Sequence, residues 1–143
     1  MDRAHGTCIA YGGSGVLLRG APGSGKSDLA LRAIAAGARL VADDQVLLTP
    51  RAGRVVASAP PALSGMIEIR GLGLMRVEAE AEVELAMIVD LVAPTMIDRL
   101  PERRCATLLG VDLPCLALTP FEASAPVKLR FALQALDPGC LVS

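Results

Sequence analysis

The sequence predicts an α/β fold: one sheet of mixed direction with few helices. Three observations predict it. Short apolar runs of strand length recur from Thr7–Tyr11 to Leu113–Leu118. Helical composition and spacing are confined to Ser27–Ala36 and Ala125–Leu136. A glycine-rich loop from Gly20 to Lys26 joins a strand to the first of those helices, which is an α/β connection.

The elements follow in order. Thr7–Tyr11 and Gly15–Arg19 read as strands around the turn signal Gly12-Gly13-Ser14. The helix after the loop is rich in Ala and Leu and is closed by Gly37. Leu40-Val41-Ala42 is a buried strand that ends in Asp43-Asp44. Gln45–Thr49 and Arg54–Ala57 form a hairpin around Arg51-Ala52-Gly53, and Pro60-Pro61 breaks the chain. Met66–Arg70 alternates as a half-exposed strand does. The acidic stretch Glu78–Glu84 reads as a solvated loop or strand edge, and Leu85–Val92 as a strand. Thr95–Arg104 is polar, and Leu113–Leu118 is the last strand.

At 143 residues the chain is expected to form one domain, residues 1–143. Apolar residues make up 52%, which excludes disorder, and aromatics only 2%, so Ala, Leu and Val must fill the core. Lys plus Arg number 14 against 15 Asp plus Glu, a balance that speaks against nucleic acid or an anionic membrane as a bulk electrostatic partner. No apolar run is long enough to span a bilayer, and Met1–His5 lacks a signal-peptide pattern. The cytoplasm is the expected compartment. The cysteines Cys8, Cys105, Cys115 and Cys140 form no C-x-x-C pair, so zinc is not expected. In a reducing compartment they read as small buried apolar side chains.

Gly20-Ala21-Pro22-Gly23-Ser24-Gly25-Lys26-Ser27 fits G-x-x-x-x-G-K-[ST] at every fixed position, in the strand–loop–helix context the motif requires. Glycines let the backbone N–H groups converge on phosphate oxygens, and the helix N-terminus adds its dipole. Lys26 can reach the β- and γ-phosphates of a nucleotide, and the Ser27 hydroxyl can ligate Mg²⁺.

Asp43 and Asp44 stand at the carboxyl end of a strand, where open α/β sheets bind ligands. One acid can hold Mg²⁺, directly or through water, and the other can accept a proton from an attacking hydroxyl. Neighbours on a strand point to opposite faces, so the two should have different roles.

The phosphate loop, Arg39-Leu40-Val41-Ala42-Asp43-Asp44 and Ile67-Glu68-Ile69-Arg70-Gly71-Leu72-Gly73 together resemble the catalytic domain of bacterial HPr kinase/phosphorylase. His5 sits where that family has a histidine. The resemblance runs from His5 to about Leu100, and the E-I-R-G-L-G stretch is more specific than the loop. It implies an ATP- and Mg²⁺-dependent kinase that phosphorylates a serine of HPr, a phosphocarrier of the phosphotransferase system. It implies Asp44 as general base, His5 as the group that tunes it, and Lys26 on the phosphates. It also implies Arg99 on the transferring phosphoryl group. The metal set expected under this reading is Ser27, Asp43 and Glu68. The family's late Gly-Arg-Asn loop, linked to phosphorolysis, has no counterpart near Pro126-Val127-Lys128, so the expectation is limited to the kinase direction. The chain resembles a short form without the family's N-terminal domain, and a homo-oligomer stays open. A small-molecule kinase and a nucleotide-sensing regulator are the competing readings. Scarce aromatics speak against the first, and the paired acids speak against the second.

Overall fold

The computed structural model describes residues 1–97 and 104–136. Its sheet begins with β1 (Asp2–His5), β2 (Thr7–Tyr11) and β3 (Ser14–Arg19), followed by the helix α1 (Lys26–Ala35). Then come β4 (Arg39–Ala42), β5 (Gln45–Arg51), β6 (Arg54–Ser58) and a small hairpin, β7 (Met66–Ile69) with β8 (Gly73–Arg76). The described chain closes with β9 (Glu82–Leu91), β10 (Arg104–Leu108), β11 (Val111–Leu118) and α2 (Ala125–Gln134). The strand order of the main sheet is β1-β5-β6-β9-β3-β2-β4, with the β10–β11 hairpin added through β11 to β9. The expected α/β fold with a mixed sheet is the fold observed.

β9 is the spine. It runs parallel to β3 along one edge, from Ser14↔Glu84 to Arg19↔Asp90. Its other edge is shared: Glu82–Glu84 pair with β6 antiparallel, and Ile88–Leu91 pair with β11 parallel. Central strands must bury both faces. Accordingly Val16, Leu18, Met87 and Val89 pack against Leu29 and Ala33 of α1 and Leu129 of α2, while Leu17 and Ile88 face a second core with Val46, Leu48 and Val55. β4 lies against β6 and β2 against β5 without pairing as neighbours, so the sheet curls on itself to close that second core. Each fully buried Leu or Ile in these layers contributes about 1.5–3 kcal/mol.

α1 ends as the sequence predicts. The N–H of Gly37 bonds to the carbonyl of Ile34, and that of Ala38 to Ala33, the paired bonds of a Schellman stop with Gly37 at φ 112°.

Several expectations need correction. β1 was not expected; it pairs with β5 from Asp2↔Leu48 to His5↔Gln45, so the polar N-terminal residues form an edge strand. Of the two readings of Glu78–Glu84, solvated loop or strand edge, the second holds for Glu82 and Glu84: they form the exposed side of β9, alternating with buried Val83 and Leu85. Arg51 and Arg54 of the β5–β6 hairpin pair with them at 2.8 and 2.7 Å. β10 joins β11 through Leu109-Gly110, both left-handed, the backbone of a two-residue hairpin turn. Cys8 and Cys115 are buried free thiols as expected. Cys105 is not a buried core residue; it is exposed on β10 and disulfide-bonded. Among the described residues, no helix is long and apolar enough to cross a membrane.

Candidate functional site

β3, β9 and β11 are parallel, and β2 is antiparallel to both β3 and β4. Four strands therefore direct their carboxyl ends to one rim. The rim carries the Gly20–Ser27 loop after β3, Asp43-Asp44 after β4, Asp90 near the end of β9, and Thr119–Phe121 after β11. Crevices outside the carboxyl ends of α/β sheets bind ligands.

The loop is built to hold an anion. Gly25 caps α1 with φ 98°, a conformation that strains any residue with a Cβ, and a Cβ there would lie 2.9 Å from the Phe121 ring. Its carbonyl accepts from Leu29 N–H, which starts the helix directly beneath the loop. Lys26 is buried, and its ammonium curls back to donate to the carbonyls of Gly20 (2.8 Å) and Ala21 (3.1 Å). Ser24 Oγ is buried without a hydrogen-bond partner. A buried hydroxyl without a partner calls for a ligand, and a polyphosphate on the loop would supply one. The residues therefore fit a nucleotide's phosphates.

Asp43 anchors the loop to the sheet. Its side chain is buried. Oδ1 accepts from the Ser27 hydroxyl at 2.6 Å and the Thr7 hydroxyl at 2.9 Å, and Oδ2 accepts from the Glu68 backbone N–H at 3.2 Å. β2 pairs Cys8 with Ala42, which sets Thr7 beside Asp43. Hydrogen bonds to a carboxylate are roughly twice as strong as neutral ones, so these three fix the helix start, β2 and β7 relative to one another.

Asp44 is the opposite case. It has φ 69° and sits in a tight turn in which Gln45 N–H bonds to the Asp43 carbonyl at 2.8 Å. Its side chain is 65% exposed, and His5 Nδ1 lies 3.8 Å from its Oδ1. So exposed a pair contributes little to stability, and it leaves the Asp44 carboxylate open to solvent at the rim. The two acids do diverge as expected, but through this turn rather than through strand alternation, because β4 ends at Ala42.

Of the expected site residues, the structure brings together Lys26, Ser27 and Asp43 at the loop, with Asp44 and His5 beside them. Glu68 reaches Asp43 through its backbone, and its side chain is exposed on β7. Arg99 lies outside the described residues. Among the described residues, no three His, Cys, Asp or Glu side chains converge on a metal position. The donors present are the Ser27 hydroxyl and the Asp43 carboxylate 2.6 Å from it, hard oxygens of the kind that hold a Mg²⁺ together with phosphates.

Two features escaped the sequence reading. Thr7 gives no signal, being a β-branched residue in a strand. Arg19, the residue before the loop, forms a two-pronged pair with Asp90, Nε to Oδ1 at 2.8 Å and Nη2 to Oδ2 at 3.1 Å. Cys115 Sγ donates to the same carboxylate at 3.3 Å. Burial pushes the Asp90 carboxyl up, but the Arg19 hydrogen bond and the Cys115 thiol outweigh it and hold it below the usual range. The same bond raises the Arg19 guanidinium. A lone Asp inside the apolar run Leu85–Val92 was the available clue.

A loop that fits G-x-x-x-x-G-K-S between strand and helix, a buried acid on its serine and an exposed acid at the next strand end are features of the α/β class that holds phosphates at such loops. Comparison with known proteins narrows the class. The family profile described as HPr Serine kinase C-terminal domain matches residues 1–124, and the chain belongs to this family. It is 45% identical to the HPr kinase/phosphorylase of Clostridium tetani over 75 residues, 52% of this chain and 25% of that one. Against the HPr kinase/phosphorylase of Bordetella petrii the identity is 40% over 103 residues, 66% of this chain and 33% of that one. The matches thus span a quarter to a third of the length of these relatives. The solved structure of the Hpr(Ser) kinase/phosphatase from Coxiella burnetii superposes with a TM-score of 0.83 at 25% identity, covering 94% of this chain and 89% of that chain.

Proposed function

We propose that this chain transfers the γ-phosphoryl group of ATP to a serine hydroxyl of HPr or an HPr-like phosphocarrier of the phosphotransferase system. The observation that carries the reading is the exposed Asp44 carboxylate, one residue after the buried acid bonded to the loop's Ser27. A folded protein substrate can reach only an exposed base. The reading draws its substrate from the names of the relatives.

In this reading the loop N–H groups and Lys26 hold the β- and γ-phosphates, the ammonium exchanging the carbonyls of Gly20 and Ala21 for phosphate oxygens. Ser27, Asp43 and Glu68 are the residues that would hold Mg²⁺. When bound, the ion neutralises charge on the transferring group. Asp44 accepts the hydroxyl proton as the serine oxygen bonds to the γ-phosphorus and the bond to the ADP oxygen breaks. His5, 3.8 Å away, orients Asp44. Arg99 is assigned to the equatorial phosphoryl oxygens, where a cation is most useful. The kinase direction is the one proposed, in the cytoplasm, where phosphotransferase proteins act.

The test is a transfer assay with γ-labelled Mg-ATP and the HPr-like protein of the same organism. Label on an acceptor serine is expected with the native chain, and none with Lys26→Ala. Asp44→Asn should bind ATP as the native chain does and transfer at least 100-fold more slowly, on the order of a lost general base. ATP binding without any label on the acceptor would refute the protein-kinase reading.

A further inference from the structure

The geometry points to Phe121 as the platform on which the nucleotide base stacks. This inference rests on the ATP reading of the loop and adds where the adenosine lies. The acids follow β4, on one side of β3 with β2 between them; Phe121 follows β11, on the other side with β9 between. A γ-phosphate that faces Asp43 and Asp44 sends the rest of the nucleotide the opposite way, across the first turn of α1. Phe121 stands there. Its Cζ and Cε1 lie 2.9 and 3.0 Å from where a Cβ on Gly25 would be, so the ring edge rests on the loop itself.

The residue is nevertheless 67% exposed. Composition does not account for a ring here, since the chain has two Phe, one Tyr and no Trp. The segment is also pinned. Arg32 of α1 donates to the carbonyls of Pro120 and Glu122, and its Nε is held by Asp28 at 3.1 Å. Pro120 is buried. An exposed ring on a fixed backbone, touching a phosphate loop, is a preorganised stacking surface: it offers a π-face without first ordering a loop.

The experiment measures binding of Mg-ATP and of tripolyphosphate to the native chain, Phe121→Ala and Phe121→Trp by calorimetry. Stacking on one ring corresponds to roughly tenfold in affinity. Phe121→Ala should therefore bind ATP about tenfold more weakly and tripolyphosphate within about twofold of native. Phe121→Trp should keep ATP affinity. Its indole would be the chain's single tryptophan, with fluorescence quenched by ATP and not by tripolyphosphate. Unchanged ATP affinity in Phe121→Ala overturns the inference. So does an equal loss of ATP and tripolyphosphate, which would mean that the ring only packs the loop. If the native chain binds neither compound, the phosphate-loop reading fails and this inference with it; the other two outcomes overturn the inference alone.

Discussion

Thr7→Val tests whether the hydrogen bonds around Asp43 hold the site together. Thr7 is fully buried, and valine puts a methyl of similar size in place of its hydroxyl, so the change tests the hydrogen bond more than a cavity. It removes one donor, the hydroxyl 2.9 Å from Asp43 Oδ1. A bond to a charged acceptor is worth about 1.5–3 kcal/mol. Oδ1 keeps the Ser27 hydroxyl and Oδ2 keeps the Glu68 N–H, so the carboxylate is not stranded and the loss should fall near 2 kcal/mol. For a domain of this size that lowers Tm by roughly 6–8 °C. The chain has no Trp, so urea unfolding is followed by far-UV circular dichroism. The midpoint should fall with an unchanged slope. The control is the same substitution in an Asp43→Asn background. There the acceptor is neutral, and the loss should shrink to about 1 kcal/mol. A loss below about 0.5 kcal/mol, or an equal loss in both backgrounds, refutes the reasoning, because the energy would then not come from a charge-assisted bond.

Other substitutions probe the loop, its support and the core. Gly25→Ala must adopt φ 98° and push against Phe121; tripolyphosphate binding should fall at least tenfold, on the order of the 1–3 kcal/mol stored in a strained backbone position, as calorimetry would read. The Asp90 carboxyl is held below its ordinary range in the folded protein. It therefore adds stability above the unfolded carboxyl's pKa, and loses it as pH falls through the folded value. Asp90→Asn should be less stable than native at neutral pH, and the difference should shrink as unfolding is measured at progressively more acidic pH. Burial pushes the Cys8 thiol far up, so a maleimide should modify Cys8 only as fast as the protein unfolds, as mass spectrometry with increasing urea would register.

Much of this site was legible because its signals are local. The phosphate loop needs glycines at fixed offsets between a strand and a helix, and each lies within eight consecutive residues. Gly37 was readable as a helix stop for the same reason. Long-range pairing was not readable. β1 is a polar segment that becomes a strand only because β5, some forty residues on, offers its edge. The β10–β11 hairpin lacked the Asn-Gly signature, and Leu109 takes the left-handed position instead. Glu82 and Glu84 could be read as solvated loop or as strand edge because their partners, Arg51 and Arg54, come from a different hairpin. Thr7 and the Arg19–Asp90 pair follow the same rule. Their chemistry exists only once strands distant in sequence lie side by side.

The turn at Asp43-Asp44 explains why adjacent identical residues have opposite surroundings, one buried and one exposed, and it decides which variant can test whether their roles differ. Asp44 is held left-handed from both sides. Its carbonyl accepts the N–H of Gly6, just after β1, and the next residue, Gln45, pairs with His5. The edge strand that carries His5 is thus the strand that fixes the turn, which is why one histidine can sit beside an exposed carboxylate without packing around it. The arrangement also stores strain. A left-handed non-glycine residue costs roughly 1–2 kcal/mol, less for Asp and Asn. Asp44→Ala would therefore remove the carboxylate and raise the strain together, and a loss of transfer in it would have two causes. Asparagine tolerates the same backbone and keeps the side-chain shape. A rate lost in Asp44→Asn while ATP affinity and urea midpoint stay native belongs to the missing base alone. If Asp44→Asn and Asp44→Ala lose rate only in proportion to stability, Asp44 is a turn residue and the base lies elsewhere.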